Sequence, residues 1–273
     1  MNKIAFFGTS HTYGSCSDIQ DDQSPECISH AWPEQVAEIF DADHLNFGLP
    51  GSPNIEIQIL LVEAFTNGLL DDVDTIIIEP RLSHDHILWN NHNKSHEGTQ
   101  PLYARTKAGH KEFGIKEAKN KSIHHRYVQE LNINNLDNTK EYERKMKKPI
   151  HKLMLNKLRH CVETLHYYNQ DTVGMLYQSY QYVKTWKIMC ESIDKKFYWI
   201  NWTSTVNDSM LNEYFKDIND CCLNLDLSVA DFMAAKTSDE KQNYFCGCKH
   251  FNVKAQPHIA KFIAKRLKKL TTR

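Results

Sequence analysis

Short apolar segments alternate with amphipathic segments along the first third of the chain. The apolar segments 3–7, 43–47 and 75–78 are predicted strands. The last is a continuous run, which is typical of a central parallel strand covered on both faces. Apolar residues recur at helical spacing over 31–40 and 55–68, which predicts two amphipathic helices. This order predicts a doubly wound α/β fold with a parallel sheet.

The pattern changes after residue 85. Residues 86–140 contain few aliphatic side chains and no clear strand, so we expect an insertion over one edge of the sheet, partly helical at about 111–132. Strands at 172–177 and 196–202 would bring the parallel sheet to five. The predicted helices of this half are 141–168, 182–193, 253–270 and three short pieces at 206–215, 216–222 and 228–235. Together, residues 1–273 are expected to form one domain with an insertion.

Composition and charge exclude several classes of protein. The 273 residues are 41% hydrophobic and 25% charged, which is ordinary for a globular protein able to bury a full core. The net charge of −1 gives no electrostatic footprint for nucleic acid or an anionic membrane. No export signal is visible and no apolar run approaches the ~20 residues that cross a bilayer. We therefore expect a protein that is cytoplasmic at synthesis.

Cysteine and histidine spacing does not indicate a metal site. The chain has eight cysteines, including the sets 221–222 and 246–248, and neither set has the paired CxxC spacing of zinc sites. The histidines of 84–96 lie in a polar, loop-like segment. We expect reduced thiols, no bound metal and no cofactor.

Glycine and polar residues follow each of the first three predicted strands. The segments are 8–14 (GTSHTYG), 48–54 (GLPGSPN) and 79–85 (EPRLSHD). Because ligands bind beyond the carboxyl ends of parallel strands, these segments are expected to meet at one crevice. Ser10 lies where a helix would begin, so it is either a nucleophile beside backbone N–H donors or a helix-capping serine.

A histidine near the other end of the sequence could complete such a site. His250 lies in the loop before the predicted closing helix, from which it can reach back to the end of the first strand. There it would supply the base that a serine hydroxyl needs near neutral pH. Considered alone, His250 fits a surface or capping residue better, and only together with Ser10 is the functional reading favoured.

Four short blocks, taken together, resemble the SGNH (GDSL-type) hydrolase superfamily of esterases, lipases and carbohydrate deacetylases. Residues 8–14 resemble the first block, with Ser10 as nucleophile, and 46–51 resemble the second, whose last glycine, Gly51, donates its N–H to the oxyanion. Residues 76–85 occupy the place of the third. His250-Phe251-Asn252 resembles the fifth, with His250 as general base. The resemblance implies a three-layer α/β/α sandwich around a five-stranded parallel, flavodoxin-like sheet.

The first and third blocks depart from the family pattern. Thr9 stands where the family has an aspartate, and the Gly-x-Asn-Asp of the third block is absent. Arg81 or Ser83 could replace the missing asparagine as an oxyanion donor. Alternatively, Arg81 forms an ion pair with Glu79 or Asp85.

The triad acid is also missing from its usual place, where the chain has Gly247. Asp239 or Asp231 would then orient His250, or the site works as a dyad, or activity is lost, because removing a triad acid can cost on the order of 10⁴ in rate. Asp239 is the predicted third catalytic residue. The predicted oxyanion and substrate-binding residues are Gly51, Arg81, Ser83, Asn54 and His11.

The resemblance implies a serine esterase or deacetylase that acts on an O-acyl ester, with an acetyl group on a carbohydrate as the expected substrate. The same motifs also resemble SGNH-like proteins of tailed bacterial viruses, which leaves open a catalytically impaired binding or structural protein such as a virion component. Expected partners are a small ester or glycan, and either virion proteins or further copies of the chain. Nucleotide binding is disfavoured because 8–14 lacks a phosphate-loop lysine and GxGxxG spacing.

Overall fold

The structure is a computed structural model. It describes residues 2–14, 31–49, 52, 54–82, 102–106, 109–113, 172–203, 216–240, 242–245 and 250–271. The strands are β1 Lys3–Gly8, β2 Asp43–Gly48, β3 Thr75–Ile78, β4 Leu102–Thr106, β5 Gly109–Phe113 and β6 Lys196–Trp199. The helices are α1 Ser10–Tyr13, α2 Trp32–Ile39, α3 Asn54–Thr66, α4 Thr172–Ser192, α5 Lys216–Asn219, α6 Val229–Glu240 and α7 Gln256–Thr271.

The strands form one sheet in the order β5-β4-β2-β1-β3-β6. β2, β1, β3 and β6 are parallel, whereas β4 and β5 are antiparallel to their neighbours. β1 lies centrally, with Phe7 paired to Phe47 on one side and to Ile78 on the other. The carboxyl ends of β1, β2 and β3 therefore lie side by side, which is the edge where ligands bind in such sheets.

Helices cover both faces of the parallel strands. Successive side chains of a strand point to opposite faces, so Phe7 packs with residues of α3 and α4, whereas Phe6 packs with residues of α2, α6 and α7. The resulting three-layer α/β/α arrangement confirms the predicted fold class. No helix in the described ranges is long and apolar enough to cross a membrane.

The predicted elements of the first 85 residues are confirmed, with ends that differ by two residues at most. β6 and the closing helix α7 are also confirmed, although β6 is shorter than predicted. The predictions at 141–168 and 206–215 lie outside the described residues. That residues 1–273 form a single domain stays a prediction.

The predicted parallel strand at 172–177 was wrong, and the part of the chain that the structure describes contributes four parallel strands to the sheet. The apolar run at 172–177 is the beginning of α4, in which Leu176, Tyr180 and Val183 are buried. A short apolar run fits a strand or a buried helix equally well, and only the later helical spacing distinguishes them.

The segment 86–140 also contains regular structure that was not predicted. Residues 109–113 form β5 rather than the start of a helix, and together with β4 they make an antiparallel hairpin. Asn46 of β2 pairs with Arg105 of β4. The hairpin therefore continues the sheet at the free edge of β2, where an exposed strand would otherwise offer unpaired backbone groups.

Candidate active site

Ser10 lies in a tight turn at the carboxyl end of the central strand. β1 ends at Gly8, Thr9 is extended, and α1 begins at Ser10. Gly14 ends this single helical turn with a φ of 84°, a conformation that favours glycine, and its N–H donates to Ser10 O at 3.0 Å. The turn thus presents Ser10 at the edge of the sheet.

Two glycines allow neighbouring strands to approach this turn. A Cβ atom at Gly8 would lie 2.3 Å from Thr12 Oγ1 and 2.8 Å from Glu79 Cβ. A Cβ atom at Gly48 would lie 2.4 Å from the backbone nitrogen of Tyr13. Any larger residue at either position would therefore displace the turn that carries Ser10.

His250 contacts Ser10 directly. Its Nε2 lies 2.8 Å from Ser10 Oγ, although the two residues are 240 positions apart in sequence. The next residue, Phe251, is 4% exposed in the core and forms a β-bridge with Phe245. Asn252 donates its N–H to Tyr244 O at 2.9 Å. His250 is therefore attached to a firmly held segment rather than to a free loop.

Asn252 also leads the chain into the closing helix. Its Oδ1 accepts the N–H groups of Lys254 and Ala255 at 3.1 and 3.3 Å, just before α7 begins. Such a side-chain turn is a common local use of asparagine. The spacing between His250 and α7 is therefore determined by this turn.

A second histidine ring lies beside the pair. His11 stacks on Trp202 with ring centroids 4.5 Å apart, and its centroid is 5.0 Å from that of His250. Burial first, and then the positive charges of His250 and Arg81, lower the pKa of His11 to about 3. His11 is consequently neutral near pH 7. His250 is the histidine placed to exchange a proton with Ser10, because its Nε2 contacts Ser10 Oγ. Trp202 was predicted only as part of a strand, without a role at the site.

Asn54 holds the segment that follows β3. Its Oδ1 accepts the N–H of Arg81 at 2.8 Å, and its Nδ2 donates to Arg81 O at 2.8 Å. Ser179 Oγ donates to the same carbonyl at 3.0 Å. Asn54 was predicted to bind substrate, but its amide is engaged by the backbone of Arg81, so the geometry supports a positioning role. Arg81 itself is near enough to act electrostatically on His11.

A buried carboxyl group lies beneath the turn. Glu79 is 2% exposed, and its oxygens accept hydrogen bonds from Thr9 and Thr12. Burial raises the pKa of Glu79, while the hydrogen bonds from Thr12 and Thr9 oppose the rise. Glu79 begins the segment 79–85 that was predicted to meet the serine turn, but its only predicted contact was an ion pair with Arg81. Its place directly after an apolar strand, beside the serine turn, was the available signal.

The structure describes only some of the other predicted site residues. Gly51 and Ser83 lie outside the described residues, so their roles stay predictions. Asp239 is exposed on α6 and makes no hydrogen bond to His250, so the geometry lends no support to its assignment as triad acid. Asp231, the other acid considered, accepts a hydrogen bond from Ser228 Oγ at 2.6 Å and donates its N–H to the same oxygen at 3.0 Å, which caps α6.

The backbone of the serine turn offers an N–H donor for an oxyanion. The N–H groups of Thr9 and Thr12 donate to Glu79, whereas the Ser10 N–H lies at the start of α1 beside its own hydroxyl. An N–H in this position is suited to a negative charge that develops on a substrate carbonyl. Among the described residues, no group of three or more His, Cys, Asp or Glu side chains is arranged to hold a metal ion.

No family model matches the chain, and a search of curated proteins returned no significant relative. Among solved structures, the chain is similar to a protein described as a lipolytic protein of the G-D-S-L family from Desulfitobacterium hafniense DCB-2. The identity is 9% and the TM-score 0.37, over 97% of this chain and 99% of that one. It is also similar to the lipase/acylhydrolase from Enterococcus faecalis, with 12% identity, a TM-score of 0.42, and 98% and 96% of the two chains covered. Both TM-scores and both identities are low, so neither likeness bears on function.

Proposed function

We propose that this protein is a serine ester hydrolase in which Ser10 is the nucleophile and His250 the general base. The observation that carries the proposal is the 2.8 Å contact between Ser10 Oγ and His250 Nε2. Nucleophile and base lie within hydrogen-bond reach of each other, as serine catalysis requires. They also meet at the carboxyl edge of the parallel strands, where this class of sheet binds ligands.

The chemistry follows from the tautomer of His250 whose proton is on Nδ1. Nε2 then accepts the Ser10 proton while Oγ attacks the ester carbonyl carbon, and the carbonyl π electrons move onto oxygen. The Ser10 N–H donates to that oxyanion. As the intermediate collapses, the C–O bond to the alcohol breaks and His250 returns the proton to the leaving alcohol. Water, deprotonated by His250, then hydrolyses the acyl–Ser10 ester in the same way.

The neighbouring side chains suit an intermediate that carries negative charge. Arg81 contributes a permanent positive charge close enough to His11 to lower its pKa, and the same charge favours an oxyanion. His11 stays neutral, so it adds no second positive charge that would hinder the protonation of His250. Gly51 remains the predicted second backbone donor.

The proposed substrate is a short O-acyl ester, with an acetyl group on a carbohydrate as the first choice. Support for a polar substrate comes from the composition of 86–140, which is rich in His, Asn and other polar side chains. Aromatic rings beside the nucleophile, those of His11, Trp202 and Phe251, are consistent with a site that excludes water around a small acyl group.

Hydrolysis assays on purified variants test the proposal. Wild type, Ser10→Ala and His250→Ala are compared on 4-nitrophenyl acetate, butyrate and octanoate, and on an acetylated oligosaccharide. Ser192→Ala is the matched control, because this exposed serine at the end of α4 bonds only to its own helix. We expect activity on the acetate substrates that Ser10→Ala abolishes and Ser192→Ala retains. Equal rates for wild type and Ser10→Ala would remove Ser10 from the reaction.

The alternative, a binding or structural protein on the same scaffold, is favoured by one observation. Gly247, rather than an aspartate, lies three residues before His250 in the sequence. A fluorophosphonate probe distinguishes the two functions, because it labels an activated serine without requiring the natural substrate. Labelling of Ser10 in the wild type that is lost in His250→Ala supports the hydrolase. Absence of labelling in the folded protein supports the alternative.

A further inference from the structure

We propose that Glu79 is a positioning residue for Ser10, whose carboxyl group fixes the serine turn through Thr9 and Thr12. The inference rests on the proposed function for its kinetic consequence. It rests on geometry alone for the claim that Glu79 determines where Ser10 lies.

The two oxygens of Glu79 hold the turn on both sides of the serine. Oε1 accepts the Thr9 hydroxyl at 2.7 Å. Oε2 accepts the Thr12 N–H at 3.0 Å and the Thr12 hydroxyl as well, with a longer contact of 3.4 Å from the Thr9 N–H. Since Thr9 directly precedes Ser10 and Thr12 follows it by two positions, one carboxyl group spans the nucleophile.

Glu79 is itself attached to the central strand. Its backbone N–H donates to Phe7 O at 2.8 Å, and its side chain is fully enclosed. From the opposite side, Asn46 of β2 donates its Nδ2 to Thr12 O at 2.8 Å. The turn is therefore held from both sides, by Glu79, which directly follows β3, and by Asn46 of β2.

A carboxyl group is the side chain that this arrangement requires. The Thr9 and Thr12 groups that contact Glu79 all donate to it. The backbone N–H of Thr12 cannot reverse its role, and a carboxylate offers acceptor positions on both oxygens. The isosteric amide of glutamine keeps one acceptor oxygen, which the Thr12 N–H needs, and puts an NH₂ group in place of the other, so the Thr9 hydroxyl would have to accept instead of donate. Burying an acid is costly unless it is fully hydrogen-bonded. The hydrogen bonds from Thr9 and Thr12 therefore offset the cost of burying Glu79 beneath the turn.

The test compares kinetic constants for variants of the carboxyl group and of one of its donors. Glu79→Gln replaces one of the two acceptor oxygens with an NH₂ group, Thr12→Val removes the hydroxyl donor, and Thr12→Ser retains the hydroxyl. Thr75→Val is the matched control, since Thr75 is equally buried in β3 and its hydroxyl has no hydrogen-bond partner among the described residues. All assays are run well below the melting temperature of each variant.

We expect kcat on 4-nitrophenyl acetate to fall by about 10²-fold in Glu79→Gln and Thr12→Val with little change in KM, because small misplacements of a nucleophile have this effect. Thr12→Ser should recover most of the loss, and Thr75→Val should keep the wild-type kcat. Wild-type kcat in both Glu79→Gln and Thr12→Val would overturn the proposal. If Glu79→Gln does not fold, the Thr12→Val and Thr12→Ser pair decides it.

A structural readout separates this inference from the proposed function. Amide hydrogen exchange by NMR measures protection at Thr12, and the ring resonances of His250 report its contact with Ser10. If the wild type has no esterase activity, the positioning role still requires that Glu79→Gln speed exchange at Thr12 and shift the His250 resonances in the folded protein. Unchanged exchange and resonances would reject the role of Glu79, even in an active enzyme.

Discussion

The imidazole of His11 stacks on the indole of Trp202, with ring centroids 4.5 Å apart and planes inclined by 25°. His11 directly follows Ser10, the proposed nucleophile, in sequence. The contact with Trp202 holds the His11 ring next to that of His250. Stacking on a buried indole removes water from the ring and disfavours its charged form. The His11–Trp202 pair therefore joins the hydrophobic core to the residues around Ser10 and His250.

The lowered pKa of His11 predicts how stability depends on pH. Its pKa is about 3 in the folded protein and near 6.5 in the unfolded chain, so the unfolded state binds the proton more tightly. Stability linked to His11 is complete above pH ~6.5 and decreases as the pH falls towards 3. His11→Phe keeps the aromatic stack but cannot titrate.

Thermal melting between pH 4 and 8 checks this dependence. The melting temperature of the wild type should fall faster with acidification than that of His11→Phe. Above about pH 7 the two melting temperatures should depend on pH equally. Other groups titrate equally in both proteins and cancel in the difference. Parallel curves over the whole range would show that His11 is not desolvated as the structure has it.

Removal of the Arg81 charge should act on His11 and on catalysis together. The Arg81 guanidinium is one of the charges that lower the pKa of His11, so Arg81→Met should raise that pKa. It should also lower kcat by about 10-fold or more, because a positive charge near the oxyanion is lost. NMR titration of the His11 ring and steady-state kinetics measure the two effects. An unchanged His11 pKa would place the guanidinium away from the site.

The contact between Asn54 and Arg81 predicts a loss of both stability and rate. Asn54→Ala leaves the N–H and carbonyl of Arg81 without their 2.8 Å partners, so we expect about 1–3 kcal/mol lower unfolding free energy. Activity should fall because the segment carrying Arg81 is released. Asn67→Ala is the control, since Asn67 is exposed and bonds only to the Glu63 carbonyl.

Urea denaturation and kinetics on the two asparagine variants measure these effects. Asn67→Ala should change the unfolding free energy by less than about 0.5 kcal/mol and leave kcat unchanged. If Asn54→Ala were destabilised with a normal kcat, the segment after β3 would not contribute to the reaction.

We expect the substitution Gly48→Ala to displace the turn that carries Ser10. In Gly48→Ala the new Cβ would meet the Tyr13 backbone nitrogen at 2.4 Å, so the turn must move. Gly68→Ala is a matched comparison, because its φ of +70° makes alanine cost about 1 kcal/mol far from the site. We expect both variants to be destabilised and only Gly48→Ala to lose kcat, measured at a temperature where both are folded.

Much of the site was predicted from local patterns. The glycine-bounded turn after β1 and the histidine before α7 identified Ser10 and His250, because strand ends and helix beginnings can be read from apolar periodicity. Glu79 was placed in a segment expected at the crevice, but its hydrogen bonds to the serine turn were not predicted. Its partners are 67 and 70 positions away, and local sequence does not show which donors of a neighbouring turn a carboxyl group will meet.

The error at 172–177 has the same origin. The residues that would distinguish a strand from the first turns of a helix lie further along α4, and burial against β6 and α3 decides between them. Trp202 was likewise assigned only to a strand, whereas its ring lies under His11.

The spacing of apolar residues along the chain was sufficient to predict the α/β class and the order of the first elements, and it placed Ser10 at a strand end and His250 before the closing helix. Those features depend on neighbours within a few positions, and periodicity reports them directly. Three features depend on groups from distant segments. They are the 2.8 Å contact between Ser10 Oγ and His250 Nε2, the hydrogen bonds of Glu79 to the serine turn, and the lowered pKa of His11. Tertiary packing alone decided them, because contact distance and burial arise only when the strands and helices are assembled.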